Sequence, residues 1–138
     1  GIGTDGAASN NDLDVFDELR DAAMVGKLGA DDASAVAAPD VVRAATAGGA
    51  ELLGFDAGRI EEGALADLAV IDLEKPHLTP AHDLVSHLAY AVRGSDVEHT
   101  VVGGEVVVRN RELQTLDETA VRRTAERRAE TLIERAER

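Results

Sequence analysis

Apolar and polar residues follow a helical period in the first third of the chain. After a small, polar opening segment at residues 1–11, apolar side chains recur at steps of three and four residues: Leu13, Phe16, Leu19 and Ala23. This spacing places them on one face of a helix and predicts that helix from Asp12 to Leu28. Asn11 or Asp12 can cap its start, and Gly29 follows its end.

A second helix is predicted after an acidic, alanine-rich connection at residues 29–38. Pro39 suits the first helical turn, and an apolar stripe continues from there to a stop at Gly54. Gly48 and Gly49 lie inside this helix, where each costs about 1 kcal/mol relative to alanine. Close packing against these two glycines is therefore expected.

The middle of the chain changes to the pattern of β-strands. Residues 67–73 form a short apolar run rich in β-branched residues, which predicts a strand, with a brief strand before it near residues 59–61. Residues 97–102 and 105–109 are similar runs on either side of Gly103-Gly104. A two-residue glycine turn between two such runs predicts a β-hairpin.

Two more helices are predicted, at residues 83–92 and from Asp117 to the end of the chain. The apolar residues of the last helix are expected to face inward: Val121, Ala125, Leu132, Ile133 and Ala136. The order is loop, two helices, a β-rich middle and a terminal helix, without an alternating strand–helix unit. This order is awkward for an independent domain and suggests a piece of a larger protein.

Composition narrows the class of protein. The 138 residues allow one domain, and 27 acidic against 14 basic residues give a net charge of −13. This charge repels phosphate, so nucleic acid and anionic membranes are poor partners. Cysteine is absent, which excludes disulfides and thiolate metal sites. No apolar run approaches the ~20 residues of a membrane span, and no signal-peptide pattern is present, so a soluble cytoplasmic protein is expected.

Arginine is much more frequent than lysine in this chain, with twelve arginines and two lysines. An acidic surface that is poor in lysine favours a halophilic origin, because high salt screens the repulsion between carboxylates. The alternative is an ordinary acidic protein from a GC-rich genome.

The opening residues Gly1-Ile-Gly-Thr-Asp-Gly6 match the G-x-G-x-x-G spacing of dinucleotide-binding turns. Such a turn follows a strand and cradles a pyrophosphate on backbone amides, where Asp5 would place a negative charge. A nucleotide-binding fragment is therefore rejected.

Five segments together resemble one family. Residues 3–11, with Leu13 and Phe16, closely resemble the end of the last barrel strand in the amidohydrolase superfamily, especially in the methylthioadenosine/S-adenosylhomocysteine deaminases and related chlorohydrolases. Four later segments resemble the C-terminal region of the same subgroup in collinear order: residues 60–72, 82–90, 94–97 and 102–106. Residues 63–66 lack the usual basic residue, and Gly48 stands where the family usually has asparagine.

The resemblance implies an α/β fold. Residues 1–56 would be the tip of the last strand of a (β/α)8 TIM-type barrel and the helices after it. Residues 57–116 would form part of a small β-sandwich domain, and residues 117–138 a C-terminal packing helix. A complete barrel needs about 250 residues. The family's metal-binding histidines and catalytic glutamate lie upstream of the segments that this chain resembles.

The implied function is that of the C-terminal portion of a metal-dependent hydrolase that deaminates an adenosine-type purine derivative, such as methylthioadenosine or S-adenosylhomocysteine. Its partner would be this small molecule, and a homo-oligomer is left open. The alternative is a non-catalytic acidic binding or scaffold module built on the β-rich half. The 138-residue chain alone is expected to be inactive, because a catalytic zinc typically needs three protein ligands.

Asp5 is the residue to which the resemblance assigns chemistry. It would be a ligand of a divalent metal, zinc or a similar ion, and a catalytic proton acceptor. Ser9 and Asn10 would face the substrate. Each has a structural alternative, since Asp5 can cap a turn and the other two can cap the helix that follows.

The four histidines form no pair with metal-binding spacing. His77, His82 and His87 are five residues apart, which scatters them over different faces of a helix. Packing and hydrogen bonding around the short helix are expected for these three. His99 lies in the hairpin and is expected to be exposed.

Overall fold

Helices and a small sheet follow the opening loop in the computed structural model, which describes residues 1–137. The helices are α1 (Val15–Ala30), α2 (Ala38–Ala45), α3 (Ala47–Leu53), α4 (Leu84–Tyr90) and α5 (Glu118–Ala136). The strands are β1 (Leu68–Ile71), β2 (Val97–Val102), β3 (Glu105–Arg109) and β4 (Glu112–Leu113). Single 3₁₀ turns occupy Pro76–Leu78 and Gly94–Asp96. Arg138, the end of the predicted segment 117–138, lies outside the described residues.

The first helix begins and ends later than its sequence pattern predicts. The Asp14 carboxylate accepts a hydrogen bond from the Phe16 backbone N–H, so Asp14 is the N-cap and neither Asn11 nor Asp12 has this role. Gly29 lies inside α1, and the helix ends at Asp31, which has a φ of 50°. Aspartate adopts this left-handed conformation more readily than most residues, so a glycine is not required there.

The predicted second helix is two helices. Thr46, with φ −113° and ψ −102°, separates α2 from α3. Pro39 in the first turn and the stop at Gly54, with φ 75°, are confirmed. The close packing expected at the two glycines is also confirmed, since a Cβ on Gly48 would lie 3.1 Å from the Arg43 carbonyl oxygen. A Cβ on Gly49 would lie 3.3 Å from the Ala44 carbonyl oxygen.

The strands form one antiparallel sheet in the order β1-β2-β3-β4. The hairpin of β2 and β3 has the predicted bounds, and its turn residues Gly103 and Gly104 have φ of 58° and 85°. Both values lie in the region that glycine enters at little cost. The strand predicted near residues 59–61 is wrong, because this segment is irregular and Arg59 pairs there with Asp56 and Glu61.

The core lies between three helices. Its buried residues are Leu19 and Ala23 of α1, Ala38 and Val41 of α2, and Ala89 of α4. Small residues at these contacts let the helix backbones approach one another closely. None of the helices within residues 1–137 combines the length and the apolar composition needed to cross a bilayer.

The last helix has the predicted start, with Asp117 as its N-cap, but its apolar side chains do not face inward. Val121, Leu132 and Ile133 are 51%, 63% and 59% exposed, and Ala125 and Ala136 are exposed as well. The inward-facing prediction is therefore wrong for residues 118–136 in this structure. Helical periodicity places these residues on one side of α5, but it does not supply a surface that covers them.

Candidate functional site

The candidate site lies on the opening loop, before α1. Asp5 has a φ of 57°, and the backbone N–H groups of Ser9 and Asn10 both donate to the Gly6 carbonyl oxygen, at 2.9 and 3.1 Å. The chain therefore turns tightly right after Asp5. Because α1 begins only at Val15, Gly6 does not lead into a helix, as a dinucleotide-binding turn would require.

The Asp5 side chain is exposed and carries a local hydrogen bond. The Ser9 hydroxyl donates to its Oδ2 over 2.7 Å. This bond, together with one from the Gly6 backbone N–H, lowers the pKa of the Asp5 carboxyl below its usual value. At neutral pH the loop therefore presents an ionised carboxylate, which suits a divalent cation. The same contacts also fit a turn residue, so they do not by themselves distinguish the two predicted roles.

Asn10 ties this loop to the first helix. Its Oδ1 accepts hydrogen bonds from the backbone N–H groups of Asp12 and Leu13, at 3.2 and 2.8 Å. Its Nδ2 donates to the Glu18 carboxylate on α1. Asn10 and Ser9 do not cap α1, because Asp14 does. That part of the structural alternative is wrong, and a contact of either residue with substrate stays a prediction.

Asp14 makes a second contact that sequence patterns miss. Its Oδ2 accepts a hydrogen bond from the Gly94 backbone N–H over 2.8 Å. A Cβ on Gly94 would come within 3.1 Å of this carboxylate. The contact joins the start of α1 to the 3₁₀ turn that leads into β2, across 80 residues of sequence. The only sequence signal is that Asp14 is one of several residues able to cap a helix in that stretch.

Two histidines form hydrogen bonds around α4, as expected. His77 Nε2 lies 2.9 Å from Asp96 Oδ2, and Asp96 is 3% exposed. Burial raises the pKa of the Asp96 carboxyl, but hydrogen bonds from His77 and from the Arg93 backbone N–H outweigh burial and leave the pKa below its usual value. His87 Nδ1 donates to the Asp83 carbonyl oxygen over 2.9 Å.

The other two histidines differ in exposure. His82 is exposed. His99 is half-buried and its Nδ1 accepts a hydrogen bond from the Asn110 backbone N–H, so the prediction that His99 is exposed is wrong. Asn110 directly follows β3, so this hydrogen bond depends on the pairing of β2 with β3, which the alternation along β2 did not reveal.

The described residues do not form a complete metal site by themselves. Within residues 1–137, no group of three or more histidine, aspartate or glutamate side chains is arranged to hold a metal ion. A catalytic zinc typically takes three protein ligands. The exposed, ionised Asp5 fits one ligand of such a set, and the remaining ligands would have to come from outside these residues.

Comparison with known proteins identifies the family. The sequence profile described as Amidohydrolase family matches residues 1–107. This match covers more than half of the chain, which therefore belongs to the amidohydrolase family.

Individual proteins are similar to almost the whole chain. The chain is 79% identical over 137 residues to the 5-methylthioadenosine/S-adenosylhomocysteine deaminase of Natronomonas pharaonis, covering 99% of this chain and 32% of that protein. It is 42% identical to the 5'-deoxyadenosine deaminase of Methanosarcina mazei, covering 97% of this chain and 31% of that protein. The chain thus spans about a third of the length of these curated relatives.

A solved structure shares the fold. The crystal structure of an adenosine deaminase from Xanthomonas campestris with bound zinc superposes with a TM-score of 0.86 at 41% sequence identity. The match covers 88% of this chain and 28% of that one. The mixed arrangement of helices and a small antiparallel sheet is therefore that of an amidohydrolase.

Proposed function

We propose that this chain is the C-terminal portion of a metal-dependent hydrolase that deaminates an adenosine-type purine derivative. The substrate would be 5-methylthioadenosine, S-adenosylhomocysteine or a close analogue. In this reaction, oxygen from water replaces the exocyclic amine of the purine, and ammonia is released. The observation that carries the proposal is the 79% identity to the Natronomonas pharaonis deaminase over almost the whole chain.

In this proposal, Asp5 is the residue of this chain that takes part in the reaction. A divalent ion, zinc by analogy with the Xanthomonas campestris neighbour, supplies Lewis-acid activation of water when bound. Asp5 would hold that ion with a carboxylate oxygen and accept the proton that the attacking water loses. The lowered pKa of Asp5 supports the metal-binding part of this role, since it keeps the carboxylate ionised. Ser9 and Asn10 follow on the same loop and stay candidates for the substrate side.

The proposed architecture divides the chain into three parts. Residues 1–56 would carry the tip of the last strand of a (β/α)8 barrel and the helices after it, which places Asp5 where barrel enzymes carry their catalytic groups. Residues 57–116 would form part of a β-sandwich, built on the sheet of β1–β4. Residues 117–138 would pack their apolar stripe on the rest of the enzyme. A cytoplasmic location stays a prediction.

The alternative of an acidic binding or scaffold module is not favoured. The relatives that match almost the whole chain are named as deaminases.

The test of the proposed function is a deamination assay on the full-length enzyme. Ammonia release would be measured with 5-methylthioadenosine, S-adenosylhomocysteine and 5'-deoxyadenosine, before and after removal of metal with a chelator. We expect turnover that is lost on chelation and restored by zinc. The 138-residue chain alone should be inactive. Absence of deamination with all three substrates would contradict the proposal, as would turnover by the short chain in proportion to its concentration.

Asp5→Asn in the full-length enzyme tests the residue assignment. The amide keeps the shape but loses the charge and the basic oxygen, so kcat should fall at least ~100-fold, the scale of a lost general base. The thermal midpoint should change little, because Asp5 is exposed. Asp32→Asn is the matched control, since Asp32 is also exposed and bonded by a serine hydroxyl. An Asp5→Asn kcat within threefold of wild type would reject the assignment.

A further inference from the structure

The Ser9 hydroxyl has one clear acceptor with good geometry. Its Oγ lies 2.7 Å from Asp5 Oδ2 and 3.2 Å from the Gly6 carbonyl oxygen. An ionised carboxylate can only accept, so Ser9 donates its single proton to Asp5. Bonds of this kind to a charged oxygen are shorter and stronger than those between neutral groups, and the shorter distance favours Asp5 over Gly6.

The backbone holds Ser9 in this position. The Ser9 and Asn10 N–H groups both bond the Gly6 carbonyl oxygen, which brings the serine side chain back over Asp5. The next residue, Asn10, is anchored to Glu18 on α1 through its own side chain. The turn is therefore fixed to a packed helix at its far end, and the position of the Ser9 hydroxyl does not depend on an exposed loop alone.

We propose that Ser9 is a positioning residue for Asp5: its hydroxyl holds Oδ2 and leaves Oδ1 free to bind the metal ion. This inference rests on the proposed function. The terminal torsion of an aspartate side chain is broad, so an exposed carboxylate without such a bond would sample many orientations. Within the described residues, no other side chain bonds the Asp5 carboxylate.

For Ser9, this positioning role would replace the substrate contact considered under the proposed function, because of the same hydrogen bond. Its proton is engaged by Asp5, and donating it to a substrate would break the bond that orients the carboxylate. A positioning role and a substrate contact differ in kinetics. Loss of positioning lowers metal affinity and kcat, whereas loss of a ground-state substrate contact raises KM.

The experiment compares three variants of the full-length enzyme with wild type. Ser9→Ala removes the hydroxyl, Ser9→Thr keeps it, and Ser34→Ala removes a matched serine whose Oγ donates to Asp32 Oδ1 over 2.6 Å, outside the proposed site. Zinc affinity would be measured by competition with a chromogenic chelator. The thermal midpoint of the metal-free protein, kcat and KM would be measured on the same preparations.

For Ser9→Ala we expect zinc affinity to fall roughly 10- to 100-fold, the usual range for a residue that orients a metal ligand. Its kcat should fall, while KM and the metal-free thermal midpoint should stay near wild type. Ser9→Thr should restore most of the zinc affinity, and Ser34→Ala should match wild type.

Two results for Ser9→Ala would overturn the inference: wild-type zinc affinity, or a raised KM with unchanged zinc affinity, which would assign Ser9 to the substrate. Both leave the proposed function in place. If Asp5→Asn instead keeps wild-type zinc affinity and kcat, the Asp5 assignment is overturned and the Ser9 inference with it. The two failures are therefore distinguishable.

Discussion

At the scale of single residues, the Asp72 carboxylate, just after β1, pairs with two positively charged side chains. Its Oδ2 lies 2.8 Å from Lys75 Nζ and 3.0 Å from Arg111 Nη2. The Lys75 hydrogen bond is the largest cause, with help from the Glu74 backbone N–H and from Arg111, of a lowered pKa of about 2. The ion pair between Asp72 and Arg111 thus joins the end of β1 to the turn after β3.

Asp72→Asn should lower the thermal midpoint at pH 6, and the difference from wild type should shrink between pH 4 and pH 2. A carboxyl whose pKa is lower in the folded than in the unfolded state stabilises the fold above its unfolded pKa, which is near 3.8. That stabilisation is lost as the pH falls through the folded value of about 2. Thermal melts at pH 6, 4, 3 and 2 measure this.

The control for Asp72 is Asp21→Asn, which changes an exposed aspartate on α1. It reports the general effect of removing one negative charge at each pH. A gap between wild type and Asp72→Asn that is constant or widens toward pH 2 would contradict the ion-pair account.

At the scale of elements, the start of α1 depends on Asp14. This carboxylate accepts from Phe16 N–H at the helix start and from Gly94 N–H ahead of β2. Asp14→Ala should lower the free energy of unfolding by about 0.5–2 kcal/mol, the range for losing an N-cap. Asp14→Asn, which keeps a capping oxygen, should lose less. Urea unfolding compares the two variants, and an Asp14→Ala protein as stable as wild type would contradict a stabilising role of these bonds.

The junction of α2 and α3 depends on Gly58. Its φ is 79°, and a Cβ there would lie 2.5 Å from the Ala47 backbone nitrogen and from the Thr46 carbonyl carbon. Gly58→Ala should therefore cost about 2–5 kcal/mol, because a left-handed alanine costs about 1–2 kcal/mol and overpacking adds about 1–3 kcal/mol.

Gly54→Ala is the matched control for this junction. Its φ is 75°, but nothing lies within 4 Å of the added Cβ. It should lose only the conformational part, about 1–2 kcal/mol. Chemical denaturation of both variants separates the two causes, and a Gly58→Ala loss no larger than that of Gly54→Ala would disprove the close approach.

At the scale of the whole molecule, the excess of acidic residues is the property that should most affect stability. Acidic residues outnumber basic ones by 27 to 14, and the chain is 79% identical to a protein of the haloarchaeon Natronomonas pharaonis. Charge of one sign destabilises the compact state through self-repulsion, and salt screens this repulsion. The acidic charge of this chain fits an adaptation to high salt, as does this haloarchaeal relative.

The thermal midpoint should rise from low to molar potassium chloride. A variant with three exposed acids neutralised, Asp21→Asn, Glu62→Gln and Glu105→Gln, should show a smaller rise because less repulsion remains to be screened. Calorimetry at several salt concentrations measures both slopes. A midpoint that is flat or falls with salt in the wild type would contradict the prediction.

Local sequence patterns predict those helices, strands and turns that are determined by residues close together in the sequence. The β2–β3 hairpin has its predicted bounds because Gly103 and Gly104 adopt positive φ between two β-branched strands. The start of α1 was not predicted, because several neighbouring residues can cap a helix. Asp14 also bonds Gly94, 80 residues away. The break at Thr46 likewise lies against Gly58, a close approach that no local pattern contains.

Some features of the candidate site could likewise be predicted from the sequence, and others could not. The motif around Asp5 marked this residue as the functional carboxylate, and that assignment stays a prediction. The bond from Ser9 depends on the turn at Gly6 and appears only in the folded loop. The exposure of the α5 stripe was also beyond the sequence, since periodicity tells which residues share a face and not what lies opposite.

The sequence by itself determined the positions of most helices and strands, the acidic charge and the motifs of the amidohydrolase family. These depend on neighbours within one or two turns, or on composition alone. Only the tertiary structure decided which carboxylates pair with residues far away in the sequence. The His77–Asp96 and Asp72–Arg111 contacts join residues 19 and 39 positions apart. Such contacts depend on the paths of the loops between their partners, and those paths are set only when the helices and the sheet pack together.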